Sequence, residues 1–335
     1  MRTEQLREVI RDGGPFVSVY VDASHDTEDA LTQNELRWRA AETRLTEIGA
    51  DPPTIEATRQ AVLDTPAVGH AGRAVIAAHG EVLLTEDFPV PPATDVVRYS
   101  ALPYLLPLLS SFESAVPHVV VLADKTGARF RAIDVDGVQS RDEEPVQGNA
   151  KEIAERAVRL ADRVNAELVV LAGTVEARTA VQNELPSHLR GAAVELDVNA
   201  AHTDLDADDV TSGVTRFIAQ RQAERDQVAL ERLHVGSAHG RACEGLDRVT
   251  EALRAGAVET ILVTDPALAE RTVWTGADLC MIGTDAAELA ESGEETTERR
   301  ADEAVPAAAL VTAADVLVLT GAATVTDGVA ALLRF

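Results

Sequence analysis

An α/β fold spread over two or three domains is what the sequence predicts, on three observations. The chain has 335 residues, more than one hydrophobic core normally serves. Segments with apolar residues at helical spacing alternate with short β-branched runs, the pattern of layered α/β units. Breaks rich in Gly or Pro recur at 12–15, 51–53, 88–92 and near Pro117, where a first domain border is expected.

In the first segment, Leu6, Val9 and Ile10 share a helical face that ends at Asp12-Gly13-Gly14-Pro15. The run 16–21 reads as a strand, and Ser24 to Asp29 is a polar stretch well supplied with helix-capping residues. A long helix follows from about Ala30 to Ile48. Its Arg37, Arg39 and Arg44 are read as a solvated face balanced by Glu35, Glu42 and Glu47. Beyond Asp51-Pro52-Pro53, a helix over 54–63 leads into a hairpin of 73–78 and 81–85 turned at His79-Gly80. The stretch 88–92 is too proline-rich for a central element, and the apolar 99–112 reads as a segment docking between domains.

The second segment opens with a buried strand over 118–124, the turn Lys125-Thr126-Gly127 and a partner strand over 128–135. A helix over 150–166, a strand over 168–172 and a helix opened by Gly173-Thr174 come next. A strand over 193–198, an acidic stretch at 202–209 and a helix over 210–233 complete it. Asp124 and Asp134 lie where nuclease metal ligands could sit. Two carboxylates on a hairpin are commonplace, however, and no further ordered acids accompany them, so a structural role is the better reading. Gly173 likewise reads as an ordinary strand-to-helix turn and not as a phosphate loop.

In the last segment Leu246, Val249 and Leu253 fall on one helical face, Gly256 ends that helix, and 257–263 is an apolar, β-branched strand. Further strands are expected at 279–283, 316–319 and 329–335. The acid- and Thr-rich 285–303 reads as a mobile loop or solvated helix, not a site. Cys243 and Cys280 match no disulfide or zinc pattern and read as ordinary core or near-core residues.

The residues between Glu244 and Val263, EGLDRVTEALRAGAVETILV, resemble the opening of the C-terminal domain of archaeal and eukaryotic class I release factors and their paralogue Pelota. The closing TDGVAALLRF, 326–335, is similar to the end of that same domain. PFVSVYVD, 15–22, resembles the first strand of bacterial release-factor-like proteins. The chain is thus identified as a bacterial member of the release-factor-like family, the group that includes the ribosome hibernation factor Balon. The resemblance implies three domains: an N-terminal α/β domain over 1–116, a ribonuclease-H-like middle domain over 117–200, and a C-terminal domain over 201–335. The last, with a connecting helix, would be of the kink-turn-binding ribosomal protein type.

Absences narrow what such a protein can do. A terminating factor of this family carries a Gly-Gly-Gln loop in its middle domain and an Asn-Ile-Lys-Ser motif in its first. The only Gly-Gly pair here is Gly13-Gly14, and the first lysine is Lys125. The segment 136–149, where the loop would fall, is short for that role. Nucleophile elbows and His-Glu-x-x-His are also missing, and His70, His79, His188 and His239 read as surface or turn residues. No catalytic residue, metal or cofactor is expected. With no apolar run of the roughly 18 residues a membrane span needs, a cytoplasmic protein is expected.

A net charge of −26 opposes phosphate binding unless basic residues gather on one face. Arginine dominates the basic residues, with Lys125 and Lys151 the only lysines. The resemblance implies a factor that occupies the ribosomal A site in hibernation. Its partners would be the 70S ribosome, through rRNA and large-subunit proteins near the factor-binding site, and a translational GTPase, with no membrane or DNA. The expected contact residues are His25, Asp26, Thr27, Glu28 and Asp29 in the first domain. Gln139, Ser140, Arg141, Gln147, Gly148, Asn149 and Lys151 would serve in the middle domain, with Arg241 and Arg248 in the last. The alternatives are a ribosome rescue factor or peptidyl-tRNA hydrolase, and an acidic stress protein that binds protein partners only.

Overall fold

The computed structural model describes residues 2–24, 29–64, 71–88, 91–114, 116–134, 139–141, 146–198, 204–205, 207–290, 295–320 and 324–335. The fold is mixed α/β, with four sheets among the described residues. It divides into two compact units, one of Met1–Ser111 with Asp226–Phe335 and one of Phe112–Arg225.

The first part of unit one holds α1 (Arg2–Asp12), β1 (Phe16–Asp22), α2 (Ala30–Glu47), α3 (Pro52–Leu63), β2 (Gly72–Ala78), β3 (Glu81–Phe88), β4 (Val96–Ser100) and the first six residues of α4 (Leu106–Ser114). The sheet runs β3-β2-β1-β4, antiparallel throughout. Alternate residues Val17, Val19 and Val21 of β1 pack with Trp38, Ala41 and Leu45 of α2 and Ile55 and Val62 of α3. The opposite face, carrying Phe16, Ser18 and Tyr20, is covered by the chain after β4. There the Tyr20 hydroxyl donates to the Tyr104 carbonyl, and Ser18 Oγ accepts from the Tyr104 N–H at 3.1 Å. β4 takes the first residues of what read as a docking segment. Its Arg98 lies opposite Ser18 in the ladder, so a strand of this kind keeps its charge on a face that the sequence pattern does not mark as apolar.

Unit two contains β5 (His118–Ala123), β6 (Gly127–Ile133), β7 (Gln139–Arg141), β8 (Val146–Gln147), α5 (Ala150–Val164), β9 (Leu168–Gly173), α6 (Val175–Glu184), α7 (Ser187–Ala192) and β10 (Ala193–Asp197). The first residues of α8 (Asp208–Ala238) also belong to it. The strand order is β10-β9-β5-β6-β7, with β8 also paired to β6; β10, β9 and β5 are parallel and the rest antiparallel. Val119, Val121 and Phe130 bury one face under Ile153, Ala157 and Leu160 of α5, and Val120, Leu122 and Val170 bury the other with Val210 and Val214 of α8.

His118 illustrates how tightly this second face is closed. Its Nδ1 lies 2.7 Å from the Val116 carbonyl, which makes that nitrogen the donor, and its Nε2 has no hydrogen-bond partner among the described residues. Burial pushes its pKa below the ordinary value of 6.5, and the nearby Arg131 lowers it further. The folded chain therefore holds a neutral ring, while the unfolded chain takes up a proton below about pH 6.5. Stability should fall as pH drops through the interval between 6.5 and the lowered value. Urea midpoints at about pH 7.5 and 5.5 are expected to differ less in His118→Gln than in the parent chain.

The last part of unit one contains β11 (Ala242–Glu244), α9 (Leu246–Arg254), β12 (Val258–Val263), α10 (Asp265–Leu268), β13 (Thr272–Thr275), β14 (Ile282–Gly283), α11 (Ala286–Ala290), β15 (Thr297–Arg300), α12 (Ala301–Val311), β16 (Asp315–Val318) and β17 (Val329–Leu333). One sheet runs β11-β17-β12-β16 and a smaller one β14-β13-β15. The strand expected at 279–283 shrinks to β14. Asp278 takes up the preceding residues in a turn, accepting from the Cys280 N–H on its side chain and the Met281 N–H on its carbonyl, both at 2.9 Å. The stretch 285–303 is also corrected. It holds α11, β15 and the start of α12, and Asp302 and Glu303 are buried, not solvated. The segment's acid content hid a buried helix start because those acids are paired with arginines, as shown below.

Candidate functional site

The two C-terminal phrases of the resemblance, 244–263 and 326–335, meet in space. β11 and β17 pair antiparallel, Cys243 opposite Ala331, and the Gly245 N–H donates to the Val329 carbonyl at 3.0 Å. α9 begins at Gly245, which has no side chain to cap it; Asp327 Oδ2 accepts from the Leu246 N–H at 3.3 Å instead. Asp327 is held in turn by Arg271 at 2.9 Å. Glu244 Oε2 accepts from the Thr326 N–H and hydroxyl. The opening and closing phrases are thus two halves of one helix cap and one strand pair.

Beside this joint, Ser237, Gly240, Cys243, Glu244, Arg248 and Thr326 line a shallow depression. Arg248 and Arg241 are exposed on either side of β11, and neither makes an ion pair with another described residue. Burial pushes the Cys243 thiol up, despite the opposing pull of Arg248, so it remains a protonated near-core residue and not a nucleophile. Cys280 is also raised, by burial and then by Asp278.

In unit two the expected contact residues lie on one edge of the sheet. β7 carries Gln139, Ser140 and Arg141 against β6, Arg141 opposite Arg131. β8 sets Gln147 opposite Gly127, and the Gly148 N–H donates to the Thr126 carbonyl at 3.4 Å. Asn149 caps α5, its side chain accepting from the N–H groups of Lys151 and Glu152 at 3.0 and 3.1 Å. Glu152 closes the box by accepting from the Asn149 N–H at 2.9 Å. The stretch 136–149 therefore contains two short strands, and its residues 136–138 and 142–145 lie outside those described.

This pairing brings in a residue that sequence reasoning did not place in the site. Lys125, at the tip of the β5–β6 turn, is adjacent to Thr126 and so sits at the same end of the sheet as Gly148 and the first turn of α5 with Lys151. Both lysines are exposed without an ion pair among the described residues. The signal was in the composition, since these two are the only lysines in the chain. Asp124, beneath the same turn, accepts from the Thr126 hydroxyl and N–H at 2.7 and 2.6 Å and from the Gly127 N–H at 3.0 Å. Those bonds, Thr126's foremost, hold its carboxyl below the ordinary carboxylate range. Its lone pairs shape the turn, and no group of His, Cys, Asp or Glu able to hold a metal is formed among the described residues.

Of the N-terminal candidates, His25, Asp26, Thr27 and Glu28 lie outside the described residues, and Asp29 precedes α2 without a side-chain capping bond. Arg37 pairs with Asp22 at 2.7 Å, and Arg39 and Arg44 lie 3.8 Å from Glu35 and Glu47. The positive charges of α2 are thus matched locally, which sets them apart from the expected contact cations Lys151, Arg241 and Arg248, and from the newly placed Lys125, which are exposed without an ion pair among the described residues.

Residues 134–239, from the end of β6 through α8, match the profile of bacterial archaeo-eukaryotic release factor family 2. The Mycobacterium tuberculosis proteins MT2704 (strain CDC 1551) and Rv2629 (strain H37Rv) are each 34% identical to this chain over 367 residues, covering 100% of it and 97% of their own length. The protein belongs to the bacterial archaeo-eukaryotic release factor family. Among solved structures, this family member is similar to Archaeoglobus fulgidus Pelota, with 15% identity, a TM-score of 0.41 and coverage of 99% and 91% of the two chains. Saccharomyces cerevisiae Dom34, a translation termination-like factor, gives 10%, 0.41, 79% and 80% in the same order. The family match covers the edge with Gln139–Arg141, Gln147–Asn149 and Lys151, but neither Lys125 nor the C-terminal arginines.

Proposed function

We propose that this release-factor relative is a non-enzymatic, ribosome-binding translation factor that occupies the A site during hibernation and has no codon-specific termination activity. The observation that carries the reading is a combination. Family kinship extends along the whole chain, yet the sequence contains neither Gly-Gly-Gln nor Asn-Ile-Lys-Ser. A chain that keeps the scaffold and lacks both motifs is suited to occupancy and not to peptide release. In this reading the three domains keep the borders 1–116, 117–200 and 201–335. The Lys125–Lys151 edge meets rRNA from the middle domain, and Arg241 and Arg248 meet the large subunit near the factor-binding site. A translational GTPase is a further partner.

Exposed cations that make no ion pair among the described residues, in a chain of net charge −26, support this assignment of contacts. Local clusters are what allow an acidic protein to approach phosphate, because charges beyond about 8 Å are largely screened at physiological salt. Peptide release distinguishes this reading from a rescue hydrolase. Purified protein added to stalled ribosome–peptidyl-tRNA complexes should bind and leave the peptide attached. Stoichiometric or catalytic liberation of the peptide would assign the chain to peptidyl-tRNA hydrolysis instead.

A further inference from the structure

The first and last parts of unit one are about two hundred residues apart in sequence, yet they share a buried group of charges. Asp302, at the start of α12, has a fully buried side chain, and that of Glu303 is 4% exposed. Within its own part of the chain, Asp302 receives Arg300, whose Nε and Nη2 lie 3.0 and 2.9 Å from its two oxygens. Glu303 is served poorly there, since Arg300 is 4.0 Å away. Its closer cation comes from β4: Arg98 Nη1 donates to Glu303 Oε1 at 3.2 Å and to Asp302 Oδ2 at 2.9 Å. The Arg98 guanidinium also stacks over the Tyr104 ring, 3.4 Å from its centre. Next to this group α1 packs on α12, where Arg7 Nε donates to the Leu310 carbonyl at 2.7 Å.

The charges balance, two carboxylates against two guanidinium groups, only when both parts are together. Arg98 is the cation of the four-residue group that crosses from one part to the other. A buried carboxylate without its partner is strongly unfavourable, whereas a buried pair replaced by neutral groups is often tolerated. Burial already pushes the Glu303 carboxyl up even with Arg98 in place, so little compensation is to spare.

We propose that Arg98, Arg300, Asp302 and Glu303 form a charge clasp that makes the first and last parts of unit one a single closed body, with Arg98 as its removable pin. The clasp does not depend on ribosome binding. Its strength lies in complementarity, so the chain opens when Arg98 is withdrawn and closes again when the carboxylates it serves are neutralised.

The test uses the full chain with Cys243→Ala and Cys280→Ser, and spin labels at Thr43→Cys on α2 and Glu251→Cys on α9, both exposed positions. The parent should give one narrow distance distribution. Arg98→Met should broaden it, lower the melting temperature by several degrees and speed amide exchange in α1 and α12. The combination Arg98→Met, Asp302→Asn, Glu303→Gln should restore the narrow distribution and most of the melting temperature. If Arg98→Met does not fold, recovery of a folded, narrow species by the combination still supports the clasp. An unchanged distribution in Arg98→Met overturns it, as does a combination that remains as open or unfolded as Arg98→Met.

Discussion

Gly173→Ala is expected to destabilise the middle sheet strongly. Gly173 closes β9, the strand between β5 and β10, with φ of 113°, a region that side-chain-bearing residues rarely enter. A Cβ added there runs into the carbonyl oxygen of Ala123, its ladder partner on β5. That same oxygen accepts from the Thr174 N–H at 3.2 Å, at the point where α6 begins. Relief by moving backbone means breaking the parallel ladder and the helix start together. Strain of about 1–3 kcal/mol, with roughly 1 kcal/mol for each broken hydrogen bond, adds up to the order of 3–5 kcal/mol. Domains of this size have only about 5–15 kcal/mol of stability in all. Gly191→Ala is the control: its φ is not positive and its Cβ would meet nothing within 4 Å, so it should shift the urea midpoint little. Amide exchange in β5 and β9 should accelerate in the first variant and not in the second.

The other large effect concerns binding. Reversing Lys125 and Lys151 to glutamate, or Arg241 and Arg248 to glutamate, should each weaken association with 70S ribosomes about tenfold or more. The log–log salt dependence of binding should also become shallower by roughly one for every side chain that no longer neutralises a phosphate. These side chains are exposed and unpaired among the described residues, so the variants should melt like the parent. Arg37→Glu makes the contrast. It sets a carboxylate against Asp22, its present partner at 2.7 Å, and should destabilise the N-terminal sheet without a specific effect on ribosome binding.

Much of the fold was legible because its local signals agree. Asp51-Pro52-Pro53 starts a helix as written, with Asp51 accepting from the Thr54 N–H at 3.0 Å, and His79-Gly80 turns a hairpin with both residues at positive φ. What sequence alone hid was held by distant partners. β4 carries an arginine inside a short strand, and that arginine's partners lie at Asp302 and Glu303. The stretch 285–303 looked solvated because acids usually are. The two arginines just before Ala301 were the available hint, since Arg300 neutralises Asp302 locally. The helix cap of α9 could not be read either, because Asp327 supplies it from the far end of the domain.

The candidate site was less legible than the fold. Gln147, Gly148, Asn149 and Lys151 fall on one edge, but two of them serve the α5 cap, Asn149 directly and Lys151 through its N–H. Lys125 joins them only through strand pairing that spans the undescribed residues 135–138 and 142–145. The family match falls on 134–239, whereas the phrases that first suggested the family lie from Glu244 onward. Kinship was therefore read from cap and strand residues of the last sheet.

Ribosome binding is measured by sedimenting the purified protein with 70S ribosomes through sucrose gradients at low and high salt. The protein should migrate with 70S particles at low salt, be released at high salt, and stay at the top of the gradient when Lys125, Lys151, Arg241 and Arg248 are all reversed. A parent chain that stays at the top even at low salt would contradict ribosome binding.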